Sequence, residues 1–134
     1  MIVNYMRSLS RVTCHVSRSK LGINIISHLD CPVFCTAEDG FSLLSLYRSC
    51  LRREGPALLV IKTDTTVILG AFLSQPPRLS DNFYGTGESW LFTYRDSTET
   101  VRTFAWTGEN NFILQGSLDS LVVGAGQSLP TYPT

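Results

Sequence analysis

From Ala57 to Val123 the chain is a succession of short apolar runs, each of strand length and each closed by turn residues. The runs are Ala57–Lys62, Thr66–Ser74, Ser89–Arg95, Val101–Trp106, Asn111–Gln115 and Ser120–Val123. Asp64-Thr65, Pro76-Pro77 and Asp96–Thr98 interrupt them with turn-forming side chains. That rhythm predicts antiparallel sheets in a sandwich or closed meander. Ala57–Lys62 is apolar almost throughout, which predicts cover on both of its faces. The longest unbroken apolar run, Ala57–Ile61, has five residues, against the roughly 20 that span a bilayer. At 134 residues the chain is one domain's worth of sequence. Eleven basic and eleven acidic residues cancel, which argues against a nucleic-acid binder that works by neutralising phosphates. The expectation is a soluble, near-neutral, single globular domain.

One helix precedes the β-rich body. Leu43, Leu46, Tyr47, Cys50 and Leu51 recur at helical spacing and mark a single apolar face. Ser42 is placed to cap the first turn, Arg48, Arg52 and Arg53 suit the carbonyl end, and Gly55-Pro56 is the expected stop. Before it, Val33–Thr36 reads as a short strand and Glu38-Asp39-Gly40 as a turn. The reading is therefore α+β, mainly β: an antiparallel β-sandwich with a flanking helix.

Residues 1–30 differ in composition. They hold Arg7, Arg11, Arg18 and Lys20 against Asp30 alone, whereas residues 31–134 carry seven basic and ten acidic side chains. On a helical wheel at about 100° per residue, Tyr5, Met6, Leu9 and Val16 gather within about 60° of Ile2, with Arg7, Arg11 and Arg18 opposite. An Arg- and Ser-rich amphipathic segment over residues 2–18 is the pattern of a mitochondrial transit peptide. The expected division is a leader over 1–30, a domain over 31–126 and a tail over 127–134. The expected location is cytoplasmic, with a mitochondrial alternative resting on the leader.

Cys14, Cys31, Cys35 and Cys50 all lie in the first 50 residues. A secreted disulfide framework would staple the β-rich part as well, so reduced intracellular thiols fit better. With His15 and His28 the cysteines supply zinc-type ligands, but the spacing lacks the paired CxxC knuckles of a zinc site. No metal or other cofactor is expected. Cys35 and Cys50 are expected to be buried.

Gly85-Thr86-Gly87-Glu88 is not a phosphate loop, because Trp90 stands where a third glycine belongs and a strand follows. Thr-Gly-Glu recurs at Thr107-Gly108-Glu109, with Phe83, Tyr84 and Trp90 around the first copy and Trp106 and Phe112 around the second. Glu88 and Glu109 on neighbouring loop tips suit the acid–base pair of a hydrolase such as a glycosidase. The competing reading has each glutamate facing solvent on a structural turn. No histidine follows His28, so the β-rich body has no serine–histidine triad.

These same residues carry a family resemblance. Asp39-Gly40-Phe41-Ser42-Leu43 with Leu46-Tyr47-Arg48 resembles the "DGFSL–LYR" opening of the TLDc domain. Leu58–Lys62 with Gly70-Ala71-Phe72 is similar to its "LLVIK–GAF" strands, and Phe83–Glu88 to its "FYGTGE". Trp106–Asn110 resembles its "W(T/S)GEN", and Asp119–Gly124 its "DSL–GxG". Cys31-Pro32-Val33-Phe34 stands where the family has an aromatic entry to its first strand. Gln127–Thr134 departs from the family's glycine-rich run and its later strands and helix, so an incomplete C-terminal end is expected.

The resemblance implies a β-sandwich with flanking helices and no established catalytic residues. It implies a non-enzymatic interaction module in protection from oxidative stress, with the peripheral sector of the vacuolar proton-pumping ATPase as a protein partner. Relatives that join the domain to a Rab-GAP or LysM domain make a vesicle-trafficking binding module the other reading. The motif residues expected to matter are Asp39, Gly40, Phe41, Tyr47, Arg48, Gly70, Phe72, Phe83, Tyr84, Gly85, Gly87, Glu88, Trp106, Gly108, Glu109, Asn110, Asp119 and Gly124. An exposed sheet edge that self-associates is a further expectation.

Overall fold

The computed structural model describes residues 2–4, 11–16, 32–63, 65–95 and 97–125. Among the described residues nine strands and two helices follow in order: β1 (Ile2–Asn4), β2 (Arg11–Val16), β3 (Phe34–Cys35), α1 (Thr36–Asp39), α2 (Leu43–Cys50), β4 (Ala57–Lys62), β5 (Val67–Leu73), β6 (Trp90–Arg95), β7 (Thr100–Ala105), β8 (Leu114–Gly116) and β9 (Ser120–Val123). They form a six-stranded sheet, β3-β2-β4-β5-β6-β7, and a three-stranded sheet, β1-β9-β8. Every pairing is antiparallel. The mainly β sandwich is thus the observed fold, but with two helices: Thr36, read as the end of a strand, and Glu38-Asp39, read as a turn, belong to the short helix α1. Five of the six strands read from Ala57 onward agree with the structure to within a residue at each end.

The period-2 alternation of a strand sorts the large sheet into two faces. Val12, Cys14 and Val16 lie opposite Ile61, Leu59 and Ala57, which in turn lie opposite Leu69, Ala71 and Leu73. These side chains form one face of a single core that also takes in Phe34, Leu46 and Tyr47, and Leu114, Leu121 and Val123 from the small sheet. Phe34, Leu46, Leu59, Leu73, Leu114 and Leu121 are wholly buried, and each contributes about 1.5–3 kcal/mol by leaving water. Leu58 and Val60 point to the other face and are only half-buried. β4 is therefore fully covered on one side only, not on both as its composition suggested.

Three further expectations are corrected. The helical wheel drawn over residues 1–19 does not describe residues 2–4 and 11–16, which are strands. β2 sits inside the large sheet between β3 and β4, so strand alternation, not one helical stripe, puts Val12, Cys14 and Val16 in the core, and His15 is buried on the other face. Helix α2 ends at Cys50, short of Gly55-Pro56, because Arg52 adopts φ +73° and turns the chain away. Leu51, placed on the apolar face by spacing, is consequently 70% exposed. The strand expected over Asn111–Gln115 begins only at Leu114, since Asn110 Oδ1 accepts from Phe112 N–H at 2.9 Å and folds those residues into a turn.

The α2 cap is as expected, with Ser42 Oγ accepting from Ser45 N–H at 3.4 Å. At the entrance to α1, Thr36 Oγ1 accepts from Val12 N–H at 3.0 Å, which ties β2 to the first helix in the buried interior. Cys14, Cys35 and Cys50 are free thiols, all buried. Cys31 and His28 lie outside the described residues. Cys14 has its thiol pushed well above the ordinary value, first by its hydrogen bond with Cys50 and then by burial. Among the described residues no helix is long and apolar enough to cross a membrane.

Candidate interaction surface

The Phe83–Glu88 segment meets Trp106 through Gly87 and Leu114 through Tyr84, and Gly124, the last residue of the Asp119–Gly124 segment, lines a cavity with Trp106. Tyr84 forms an isolated bridge with Leu114, its N–H donating to the Leu114 carbonyl at 2.8 Å and its carbonyl accepting at 3.0 Å. The Tyr84 hydroxyl donates to the Arg78 carbonyl at 3.2 Å and accepts from Arg78 N–H at 2.8 Å, while the Arg78 guanidinium lies 4.1 Å above its ring. Burial raises the Tyr84 phenol above its ordinary value against the lowering effect of Arg78.

Gly85 takes φ +88° and lets Thr86 N–H reach Ser74 Oγ at 2.8 Å. Two residues on, Gly87 lies directly under the Trp106 indole, where any Cβ would overlap the ring. Trp106 Nε1 donates to the Asn110 carbonyl at 2.7 Å, and Gly124 N–H donates to the Ile113 carbonyl at 2.7 Å. The Phe83 and Phe112 rings pack 5.0 Å apart. A small cavity of about 100 Å³ remains among Trp90, Leu91, Trp106, Ile113 and Gly124.

The two Thr-Gly-Glu copies fold alike. Glu88 N–H bonds Thr86 Oγ1 and Glu109 N–H bonds Thr107 Oγ1, each at 3.4 Å. Both glutamate side chains are exposed. The repeat therefore encodes a turn in which threonine holds the backbone; Glu88 borders an open pocket of about 250 Å³ with Trp90 and Thr103, and neither carboxylate is enclosed as a raised general acid is.

The other motif residues act in packing and turns. Tyr47, on α2, donates to the carbonyls of Ser117 at 2.7 Å and Ser120 at 3.3 Å, which joins the first block to the last. Asp39 Oδ2 accepts from Cys35 N–H at 2.8 Å, and Gly40 closes α1 with φ +85°. Gly70 faces Phe92 across the sheet, whose ring occupies the space of a side chain. Phe72 stacks on Trp90 at 5.7 Å. Phe41, Arg48, Gly108 and Asp119 are exposed and bring no cluster together.

Tyr47→Phe removes both hydroxyl bonds and leaves the ring in place, at an expected cost of about 1–2 kcal/mol in chemical denaturation. Burial also raises the Tyr47 phenol above its ordinary value of 10.0. A phenol that stays neutral when folded but ionises when unfolded stabilises the fold below pH 10, and this stability is lost as pH rises beyond it. The Phe variant should therefore lose less stability than the parent between neutral pH and pH 11.

What sequence reasoning missed is the exposure around β7. Trp90, Val101, Phe104, Trp106 and Phe112 are 37, 59, 46, 44 and 49% exposed, an apolar concentration of the kind that marks contact surfaces. Its signal was present in Val101 and Phe104, apolar residues on opposite faces of one strand. On the other flank of the large sheet, Arg11, Thr13, His15, Cys35 and Lys62 line an open groove of about 580 Å³.

The description "TLDc domain" matches residues 26–132. Oxidation resistance protein 1 of Xenopus tropicalis is 48% identical over 94 residues, 70% of this chain and 10% of the relative. Its human counterpart is 43% identical over the same length, with the same shares. Nuclear receptor coactivator 7 of Gallus gallus is 41% identical over 93 residues, 69% of this chain and 10% of that protein. The chain thus spans about a tenth of the length of these relatives. With the family description covering most of its length and the motif blocks packed against one another in the fold, the chain belongs to the TLDc domain family.

Proposed function

We propose that the chain is a non-catalytic protein-interaction module serving defence against oxidative stress. The observation that carries this reading is the turn-and-aromatic end of the sandwich, where Trp106 and Phe112 stand half-exposed beside the exposed Glu109. Aromatic side chains framed by fixed turns suit recognition, since they contribute contact area at small entropic cost. The name of its relatives, oxidation resistance protein 1, supports the link to oxidative stress.

The partner we infer is the peripheral sector of the vacuolar proton-pumping ATPase, met on its cytoplasmic side. Affinity purification of the tagged full chain from intact cells tests this. The expected result is recovery of peripheral-sector subunits, falling at least about tenfold for the Glu109→Lys, Phe112→Ser double variant, whose folding is checked by thermal melting. Recovery no greater than from an untagged control removes the pump as partner.

A further inference from the structure

We propose that two copies of this chain associate edge to edge through β7, joining their six-stranded sheets into one continuous sheet. The proposal goes beyond the interaction reading above and is independent of it. It begins from the free edges of the two sheets. The large sheet ends in β3, two residues long, and in β7, six residues long; the small sheet ends in β1 and β8, three residues each. β7 is the one long edge among the described residues, and all six of its side chains are exposed.

Edges that must stay unpaired are blunted by charged side chains, proline, bulges or extreme shortness. Of these β7 has a single charge, Arg102, and neither proline, bulge nor shortness. Its sequence is Thr-Val-Arg-Thr-Phe-Ala, and its ladder with β6 runs unbroken from Trp90↔Ala105 to Arg95↔Thr100. Each face also exposes an apolar side chain to water. Val101 shares one face with Thr103 and Ala105, while Phe104 shares the other with Arg102, and both apolar side chains stand open.

The strand is also self-complementary, which selects a second copy as the occupant. An antiparallel pair of identical strands is related by a twofold axis perpendicular to the sheet, so each face stays on its own side. Only residues of one face can then stand opposite each other. Centred on Arg102, the pairing sets two guanidiniums face to face, which is unfavourable. Centred on Thr103, it sets Thr103 opposite the partner's Thr103, Val101 opposite the partner's Ala105, and Arg102 opposite the partner's Phe104. Threonine pairs and apolar pairs are favoured across strands, and a guanidinium is attracted to an aromatic face. Within its own strand Arg102 already lies 5.8 Å from the Phe104 ring.

Sedimentation of the full chain over a range of concentrations, with charge substitutions at Thr103, tests the proposal. The parent is expected to approach twice its 14.9 kDa mass as concentration rises. Thr103→Lys sets two ammonium groups opposite each other and Thr103→Glu two carboxylates, so each alone should weaken dimerisation at least about tenfold while melting as a folded chain. Mixed in equal amounts, the two variants should recover the dimer, because lysine then faces glutamate. A parent that stays monomeric at every concentration overturns the proposal. So does a Thr103→Lys dimer of undiminished affinity, a mixture that fails to recover, or assembly into species larger than a dimer.

Discussion

Gly116→Ala is expected to destabilise the fold by roughly 3 kcal/mol or more, lowering the thermal midpoint by about 10 °C. The reason lies in what surrounds Gly116, at the end of β8. A methyl group there would overlap the Arg78 carbonyl oxygen and stand 3.0 Å from both the Arg78 carbonyl carbon and the Tyr47 hydroxyl. Backbone cannot rotate aside as a side-chain tip can, so the β8–β9 hairpin must move. That movement strains the Ser80 N–H bond to the Gly116 carbonyl, 2.9 Å long, and the Tyr47 bond to Ser117. Gly108→Ala is the comparison. Gly108 has φ +83° but open space around it, so alanine there costs only the left-handed conformation, about 1 kcal/mol. Thermal melts of both variants separate the two effects, and equal midpoints would refute the steric account.

The contrast also shows what could be read from the sequence. Five of the six strands from Ala57 onward and the start of helix α2 were legible because period and capping are local properties of neighbouring residues. The Thr-Gly-Glu turns were recognisable as turns for the same reason. Tyr47 reaching Ser117, Gly87 lying under Trp106 and Gly116 against Arg78 were not, since each joins segments far apart in the chain. The exposed end around β7 was only half legible. Aromatic residues could be located near both turns, yet whether Trp106 covers the core or faces water depends on which strands lie across from it. The largest misreading concerned β2, and it arose because a wheel drawn over residues 1–19 averaged across a six-residue strand, of whose buried face, Val12, Cys14 and Val16, only Val16 also falls on the helical stripe.

That misreading can be tested by substitution at two adjacent positions. In a helix over residues 1–19, Thr13 falls about 20° from Ile2 on the apolar face, and Val12 about 80° away. In the strand the order is reversed: Val12 is wholly buried opposite Ile61, while Thr13 is half-buried opposite Val60 on the other face. Val12→Asp places a carboxylate in the core beside Ile61, with no cation on that face of β2 or β4 to pair with it. The expected cost exceeds about 4 kcal/mol, enough to abolish a cooperative melting transition in a domain of ordinary stability. Thr13→Asp should change stability by no more than about 1 kcal/mol, since its side chain opens on the groove that Arg11 and Lys62 also line. Melting both variants by circular dichroism decides the matter. If Thr13→Asp is the more damaging of the two, residues 11–16 do not form the inner strand of the sheet; if Val12→Asp is, residues 11–16 are part of the folded core.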